Sequence, residues 1–587
     1  MAKPKCVLLG LACFASSASA LRAQATLRLS VASNSGDSNG GSCLDGGPVL
    51  SGSGALVAFD SLASNLVALA DNNQAFDVFV RDTLSGTTER VSVSSSGVLG
   101  DADSYRPSIS LDGRFVAFES YATNLGGTPL PGASDVYVRD RLLGVTHKLS
   151  SSASGGAANG MSGNVRLSGD GLYAAFESDA TNLGPTDLNG EFDIYVHEHA
   201  SGLRTLASLS NGGAQANRGC YDPDISEGGR FVVFISRASN LVLNDTNDPP
   251  NAPDDGGDVF LRDRVAQTTV RVSVSSSGQQ ATDVSGSPTL SADGRFVAFA
   301  SRAWNLVPGD SNGKSDVFVH DAVLGTTRRV SVSSLGTQAN QHCDCGDISA
   351  DGRFVAFYSS TRTLVPGDLN AVSDIFVFDQ LSGQIALVST PDAGGQSNEA
   401  SYCPTLSADG RFVGFASYAD NLVAGDGNGD ADAFLRDRGL DYVGTFCTAG
   451  TTTNGCTASI QGSGTPSASG SSSFVIQASA LEGQRQGLLF YGLDDGAFTP
   501  LPWGTSSSFL CVKPPTQRTS AQSTGGSANA CNGSFAVDWN AFVASNPGAL
   551  GVPFSAGQHV FVQAWFRDPP SPKTTHLSDA LEFVLRP

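Results

Sequence analysis

The chain has 587 residues, among them 68 Gly and 26 Pro, and 35 Lys plus Arg against 56 Asp plus Glu give it a formal net charge of -21. Phosphate-bearing partners need a basic footprint, so this balance argues against nucleic acid and anionic membrane surfaces as ligands. With 40% hydrophobic residues the chain can bury a large core, and abundant Gly beside only 16% charged residues points to strands and turns rather than helices.

Residues 1–20 read as a secretory signal: Lys3 and Lys5 give the positive start, Cys6 to Ala15 the apolar stretch, and Ala18-Ser19-Ala20 a small-residue cleavage site. The apolar stretch is too short to span a bilayer, and no other run reaches membrane length. The expectation is an exported protein, secreted, periplasmic or at the cell surface. In that oxidising setting cysteines are expected to pair. Cys447 with Cys456 and Cys511 with Cys531 bracket short Gly-, Ser- and Thr-rich loops and are the expected local bridges. Cys345 and Cys403, in equivalent positions of neighbouring repeats, form a third candidate pair, leaving Cys43, Cys220 and Cys343 without an evident mate.

From residue 26 to about residue 440 the sequence repeats itself with a period of about 58 residues. Arg-Phe-Val-Ala-Phe-x-Ser occurs at Arg114 to Ser120, Arg295 to Ser301 and Arg353 to Ser359, and looser copies begin at Leu56, Leu172, Arg230 and Arg411. In the fifth copy Pro288 to Ser291 leads through Asp293-Gly294 into Arg295 to Ser301; a long loop precedes Asp316 to Val319, and a short turn precedes Arg329 to Ser333. Alternating Val or Phe with smaller polar residues is the period of a strand, and Asp-Gly is a hairpin turn signal. Four antiparallel strands repeated seven times describe a seven-bladed β-propeller. The seventh copy lacks its fourth strand, and Thr26 to Ser33 matches that strand, so an N-terminal strand is expected to complete the last blade and close the ring. The recurring Phe296, Phe299 and Phe318 positions are expected to pack between blades.

Ser291-Ala292-Asp293-Gly294-Arg295-Phe296-Val297-Ala298-Phe299, followed by Asp316-Val317-Phe318-Val319-His320-Asp321, resembles the WD40-like repeat of the TolB propeller family. The resemblance implies a propeller in the periplasm that binds protein partners. This chain departs from that family's six blades and domain order, since its propeller comes first.

The long second-to-third and fourth-to-first loops share one face, where ligand contacts are expected to concentrate. The second-to-third loops carry Asp-x-Asn-x-x-x-Asp at Asp187, Asn189 and Asp193; at Asp310, Asn312 and Asp316; at Asp368, Asn370 and Asp374; and at Asp426, Asn428 and Asp432 with Asp430 beside them. Such alternating oxygens can wrap calcium, with the fifth and seventh blades best supplied, or can cap the loop's own backbone amides. The last Asp recurs in every blade, including blade two, whose loop has no earlier Asp or Asn, and this favours a structural role for it. No cofactor other than calcium is implied.

His342-Cys343-Asp344-Cys345 has the spacing of a soft-metal cluster, but export favours a disulfide there. Gly-x-Ser-x-Gly occurs at Gly36 to Gly40 and Gly309 to Gly313 without the strand-to-helix setting of a nucleophile elbow, so no catalytic residue is assigned. After Leu440 short apolar alternations separated by Ser, Thr, Gly and Pro suggest a β-sandwich over residues 445–587. Thr445-Phe446-Cys447-Thr448-Ala449-Gly450 and Ala564 to Pro570 resemble a C-terminal module of secreted planctomycete proteins. The functional expectation is a monomeric exported binding or scaffold protein whose long-loop face engages a protein or glycan, with calcium-ordered loops. The alternatives are a lyase or hydrolase using the central channel, and a structural envelope component.

Overall fold

Short strands of alternating Val, Phe and Ala bury both faces only when sheets stack against one another, and the computed structural model shows that arrangement. It describes residues 25–585 apart from 45, 69–70, 185–186, 248–256, 393, 439–442, 447–451, 453, 465, 468–472, 494–500, 503–508, 555–557 and 568–574. Residues 1–20, expected to be a secretory signal, and Cys447 therefore lie outside the described residues. Seven four-stranded antiparallel sheets follow one another along the chain. In blade five they are Ser285–Leu290, Phe296–Ser301, Asp316–Asp321 and Thr326–Arg329. The fourth strand thus begins three residues before the expected Arg329. The Arg-Val-Ser-Val-Ser piece runs past its end and delivers Ser331 to Asp316.

The ring closes as expected. Ala25–Arg28 pairs antiparallel with Asp432–Asp437, so Thr26 faces Arg436 and Leu27 faces Leu435. On the short-turn side a circle of backbone hydrogen bonds links each first-to-second turn to the next. Gly52 donates to Leu111, Leu111 to Gly169, Asp170 to Glu227, Glu227 to Ala292, Ala292 to Ala350, Ala350 to Ala408, and Ala408 back to Gly52, all at 2.8 to 3.2 Å. The turn glycines permit this closeness. Gly294 has φ +73, and a Cβ there would lie 2.3 Å from the Phe231 ring of the preceding blade. Between blades the apolar faces interdigitate: Ala298, Val317, Val319 and Val330 of blade five share a core with Val355, Phe357 and Phe376 of blade six. Within a blade Phe299 stacks on Phe318 at 5.9 Å.

Besides the two-stranded pair of Leu501–Pro502 with Phe509–Leu510, the C-terminal region holds two larger sheets. Ser459–Gly464, Phe474–Leu481 and Gly533–Asp538 form one; Val443–Phe446, Gln486–Gly492, His559–Arg567 and Thr575–Val584 belong to the other. Ile460, Phe474 and Ile476 from the first meet Leu489, Val562 and Phe583 from the second in one core around Trp539, which is a sandwich.

The disulfide expectation needs correction. Cys456 is bonded to Cys531, with Cα atoms 5.2 Å apart, so neither Cys447–Cys456 nor Cys511–Cys531 forms, and Cys511 is in another disulfide. Ser459–Gly464 and Gly533–Asp538 both run antiparallel to Phe474–Leu481. The residues just before each, Cys456 and Cys531, are therefore delivered to the same end of the sheet. Cys345 and Cys403 are free thiols, as are Cys43, Cys220 and Cys343. Cys345 is ladder-paired with Phe357 and packs into the apolar core of its blade. Cys403 sits at φ +49 in a bulge, and both residues line the channel without bonding to one another.

Candidate functional site at the channel mouth

The innermost strand of each blade lines a central channel. In six of the seven blades its pairing shifts register part-way along. At these bulges five non-glycine residues take the left-handed backbone: Arg106, Asn164, Asp222, Ser287 and Cys403, with φ of 48 to 51. Four are followed by Pro107, Pro223, Pro288 and Pro404. Proline has no N–H to give to a ladder and so fits a bulge. A left-handed conformation is unfavourable for residues with a Cβ and persists only where the surroundings hold it.

Carboxylates on the neighbouring second strands provide part of that hold. Asp60 accepts the Arg106 amide at 3.2 Å, Glu119 the Asn164 amide at 3.4 Å, and Glu177 the Asp222 amide at 3.1 Å. The side chains at the bulges form a polar chain around the wall. Arg106 donates to Asn164 at 3.1 Å, and Asn164 donates to Glu177 at 2.9 Å and to Asp222 at 3.3 Å. Across the channel Ser287 and the Tyr358 hydroxyl donate to the two oxygens of Asp344 at 2.9 and 3.1 Å.

These residues enclose a cavity of about 390 Å³ that all seven blades line, with Arg166 and Cys345 among its walls. Each first strand enters from the fourth-to-first loop, so its early residues, which line this cavity, lie toward the long-loop face. Tyr221 and Tyr402 stand partly exposed beside it, Tyr402 packing edge-on against Tyr358 at 5.8 Å. Arg166 is exposed and spends one hydrogen bond on Val165 O at 3.3 Å, leaving most of its donors open.

The confined channel disfavours charge. Burial, with Asp222 adding to it, pushes the Glu177 carboxyl up to about 7. Deeper in, burial together with Asp224 raises Asp347 to about 7. The Thr289 hydroxyl lies 3.2 Å from Asp224 and 3.3 Å from Asp347. One hydroxyl hydrogen cannot serve both, so a proton on one carboxyl completes the pair.

A broader cleft of about 940 Å³ lies between blades three and four. Its cations are already committed: Arg262 to Gln267 at 2.7 Å, Thr269 at 3.2 Å and the backbone at Leu209 and Ser210, and Arg264 to Gly229 O and to Thr205 at 3.3 Å. The channel mouth offers more open polar groups.

In most of the second-to-third loops the acidic side chains already have partners within the protein. In every blade the last Asp accepts a hydrogen bond from a Ser just past the fourth strand: Asp77 from Ser92, Asp135 from Ser150, Asp193 from Ser208, Asp258 from Ser273, Asp316 from Ser331, Asp374 from Ser389, and Asp432 from Ser30 just past the closing strand. The Asn before it caps its own loop: Asn189, Asn312 and Asn428 accept the amides of Glu191, Lys314 and Asp430. Arg329 spans Asp310 and Asp316 at 3.2 Å each, and Arg28 reaches Asp426 at 2.8 Å and Asp432 at 3.6 Å. Arg90 and Arg271 do the same in blades one and four, and in blade two, whose loop has a single Asp, Lys148 meets Asp135. In blade three Gln215 bridges Asp187 and Asp193. Among the described residues no group of three or more His, Cys, Asp or Glu is arranged to hold a metal ion. His342 accepts the Ser315 amide at 3.0 Å. Buried His197, held well below its usual range at about 4 by burial, packs edge-on against His199.

The bulge residues share no residue type, and only the following prolines signal them in the sequence. No family model matches the chain, and no curated protein matches it. Among solved structures it is similar to TolB from Acinetobacter baumannii, 15% identical over 55% of this chain and 61% of that one, with a TM-score of 0.30. The matched part is thus about three fifths of that TolB's length. It is also similar to the β-propeller domain of the Trilobed protease from Pyrococcus furiosus, 11% identical over 68% of this chain and 96% of that one, TM-score 0.41. A structure from a study of two prolyl endopeptidases is 10% identical over 76% of this chain and 56% of that one, TM-score 0.41.

Proposed function

We propose that the chain is an exported binding protein that takes a protein segment or glycan into the channel mouth on its long-loop face. The observation that carries this reading is the ring of bulged residues. Five of them hold unfavourable backbone in order to project Arg, Asn, Asp, Ser and Cys side chains into one cavity, beside an arginine with open donors and flanking tyrosines. Planar donors and acceptors set beside aromatic rings suit both sugar hydroxyls and peptide amides. The rigid blades hold the groups in place, so little order is lost on binding.

The test is binding of the full chain to a glycan array and to a peptide library, compared with Arg166→Ala and Asp344→Asn variants and with Arg230→Ala on the short-turn face. The reading expects a defined ligand class whose binding falls at least about tenfold in the channel variants and is unchanged in Arg230→Ala. Equal binding by all four proteins refutes it.

A further inference from the structure

Blade six breaks the charge pattern of the ring. In blades one, two, four, five and seven a cationic side chain on the fourth strand meets the last Asp: Arg90, Lys148, Arg271, Arg329 and Arg28. The equivalent residue is Leu206 in blade three and Leu387 in blade six. Blade three compensates, because the Gln215 amide donates to both Asp187 and Asp193. Blade six has the equivalent glutamine, Gln396, but its amide goes to Gly367 O at 2.9 Å and only weakly to Asp368 at 3.4 Å.

Two oxygens are left over. Asp374 is 1% exposed and Asp368 4% exposed. Asp374 Oδ1 takes the hydroxyls of Ser389 and Ser397 at 2.6 and 3.1 Å, while its Oδ2 makes no close hydrogen bond and is left with a weak interaction from the Asn370 side chain. It is the one such Asp of the seven with a buried oxygen left over. Asn370 gives its amide to Ser397 O at 3.1 Å, as its counterparts do, but its Oδ1 has no donor. In blades three, five and seven that oxygen caps the amide two residues on. The nearest cationic side chain acting on Asp368 is Arg362, which is exposed and forms no ion pair with it.

We propose that the second-to-third loop of blade six binds a divalent cation of calcium type through Asp368, Asp374 and the side-chain oxygen of Asn370, the ion taking the place that arginine fills in other blades. Hard oxygen donors with two carboxylates suit calcium. A bare pair of buried carboxylates is costly unless a positive charge accompanies it. Blades five and seven, which look richest in oxygen by sequence, are already neutralised from within. A site with so few charges falls in the weak extracellular range, with a Kd of about 0.1 to 1 mM.

The test is calorimetric titration of the chelator-treated full chain with calcium chloride, alongside Leu387→Arg, Asp374→Asn and Asn370→Ala. The expected result is one ion bound by the parent chain, with binding weakened at least about tenfold in Asp374→Asn and absent in Leu387→Arg. Leu387→Arg is expected to melt in chelator at or above the temperature of the parent chain and to be insensitive to added calcium. No heat of binding up to 10-fold above 1 mM, or unchanged stoichiometry and affinity in Leu387→Arg, overturns the proposal. If Leu387→Arg does not fold, unchanged affinity in Asn370→Ala and Asp374→Asn overturns it equally.

Discussion

Replacing Glu177 by Gln probes the channel wall where it holds its backbone. Glu177 Oε2 accepts the Asp222 amide at 3.1 Å and Oε1 the Asn164 side chain at 2.9 Å. Burial and the neighbouring Asp222 raise its carboxyl from 4.5 to about 7. The folded chain therefore holds this proton more tightly than the unfolded chain. The stability it contributes is fullest below pH 4.5 and is lost as the pH rises to about 7. At about 1.4 kcal/mol per pH unit, ionisation in the folded chain costs about 3 kcal/mol by pH 8. Glutamine removes that cost, but its NH2 group turns one of two acceptors into a donor, which forfeits about 1 kcal/mol. Glu177→Gln is thus expected to stabilise the protein by about 2 kcal/mol at pH 8 and to be neutral or mildly destabilising at pH 4.5. Urea unfolding at half-unit steps from pH 4.5 to 8 measures the difference between variant and parent. A difference that does not change with pH refutes the assignment of a buried, high-pKa carboxyl to this wall.

Three further outcomes follow from the packing of the blades. Arg329→Leu leaves Asp310 and Asp316 buried without their guanidinium and is expected to cost about 3 to 5 kcal/mol in calcium-free urea unfolding, with Arg329→Lys recovering part of it. Gly294→Ala drives a Cβ to 2.3 Å from Phe231 at φ +73, whereas Gly278, at φ +79, has open space around it. The first substitution is expected to cost clearly more than the roughly 1 kcal/mol of left-handed strain expected for Gly278→Ala, as read from thermal unfolding of both variants. Peptide mapping under non-reducing conditions is expected to recover Cys456 joined to Cys531 and to find Cys345 and Cys403 open to alkylation after unfolding.

The blades were legible because they repeat the same physical solution: a Gly-containing turn, Asp-Gly in five of the seven, a Phe for the inter-blade core and an Asp at the start of the third strand. The closing strand was legible for the same reason, as a fourth strand missing at one end and present at the other. The channel mouth was not. Its bulges place Arg106, Asn164, Asp222, Ser287 and Cys403 at one structural position, and residues so unlike leave no repeat for self-comparison to find. The role of the last Asp was half visible: its recurrence marked it as structural, but its Ser partner lies 15 residues away in six blades, past the end of the next strand. The arginines that neutralise the loops were read only as part of a strand, so the substitution at Leu387 carried no meaning until the charge beside it was seen. The bridges were misread because nearness in sequence stood in for nearness in the sheet, and Cys456 and Cys531 are 75 residues apart.

Hydroxyl-radical footprinting of the full chain, with and without the ligand class that the array identifies, tests the binding face most directly. A ligand seated in the channel mouth protects Tyr221, Tyr358 and Tyr402 and leaves Leu84, Leu142 and Val265, exposed on the short-turn side, reacting as before. Protection of those three turn residues with the tyrosines unchanged would place the ligand on the opposite face and contradict the account.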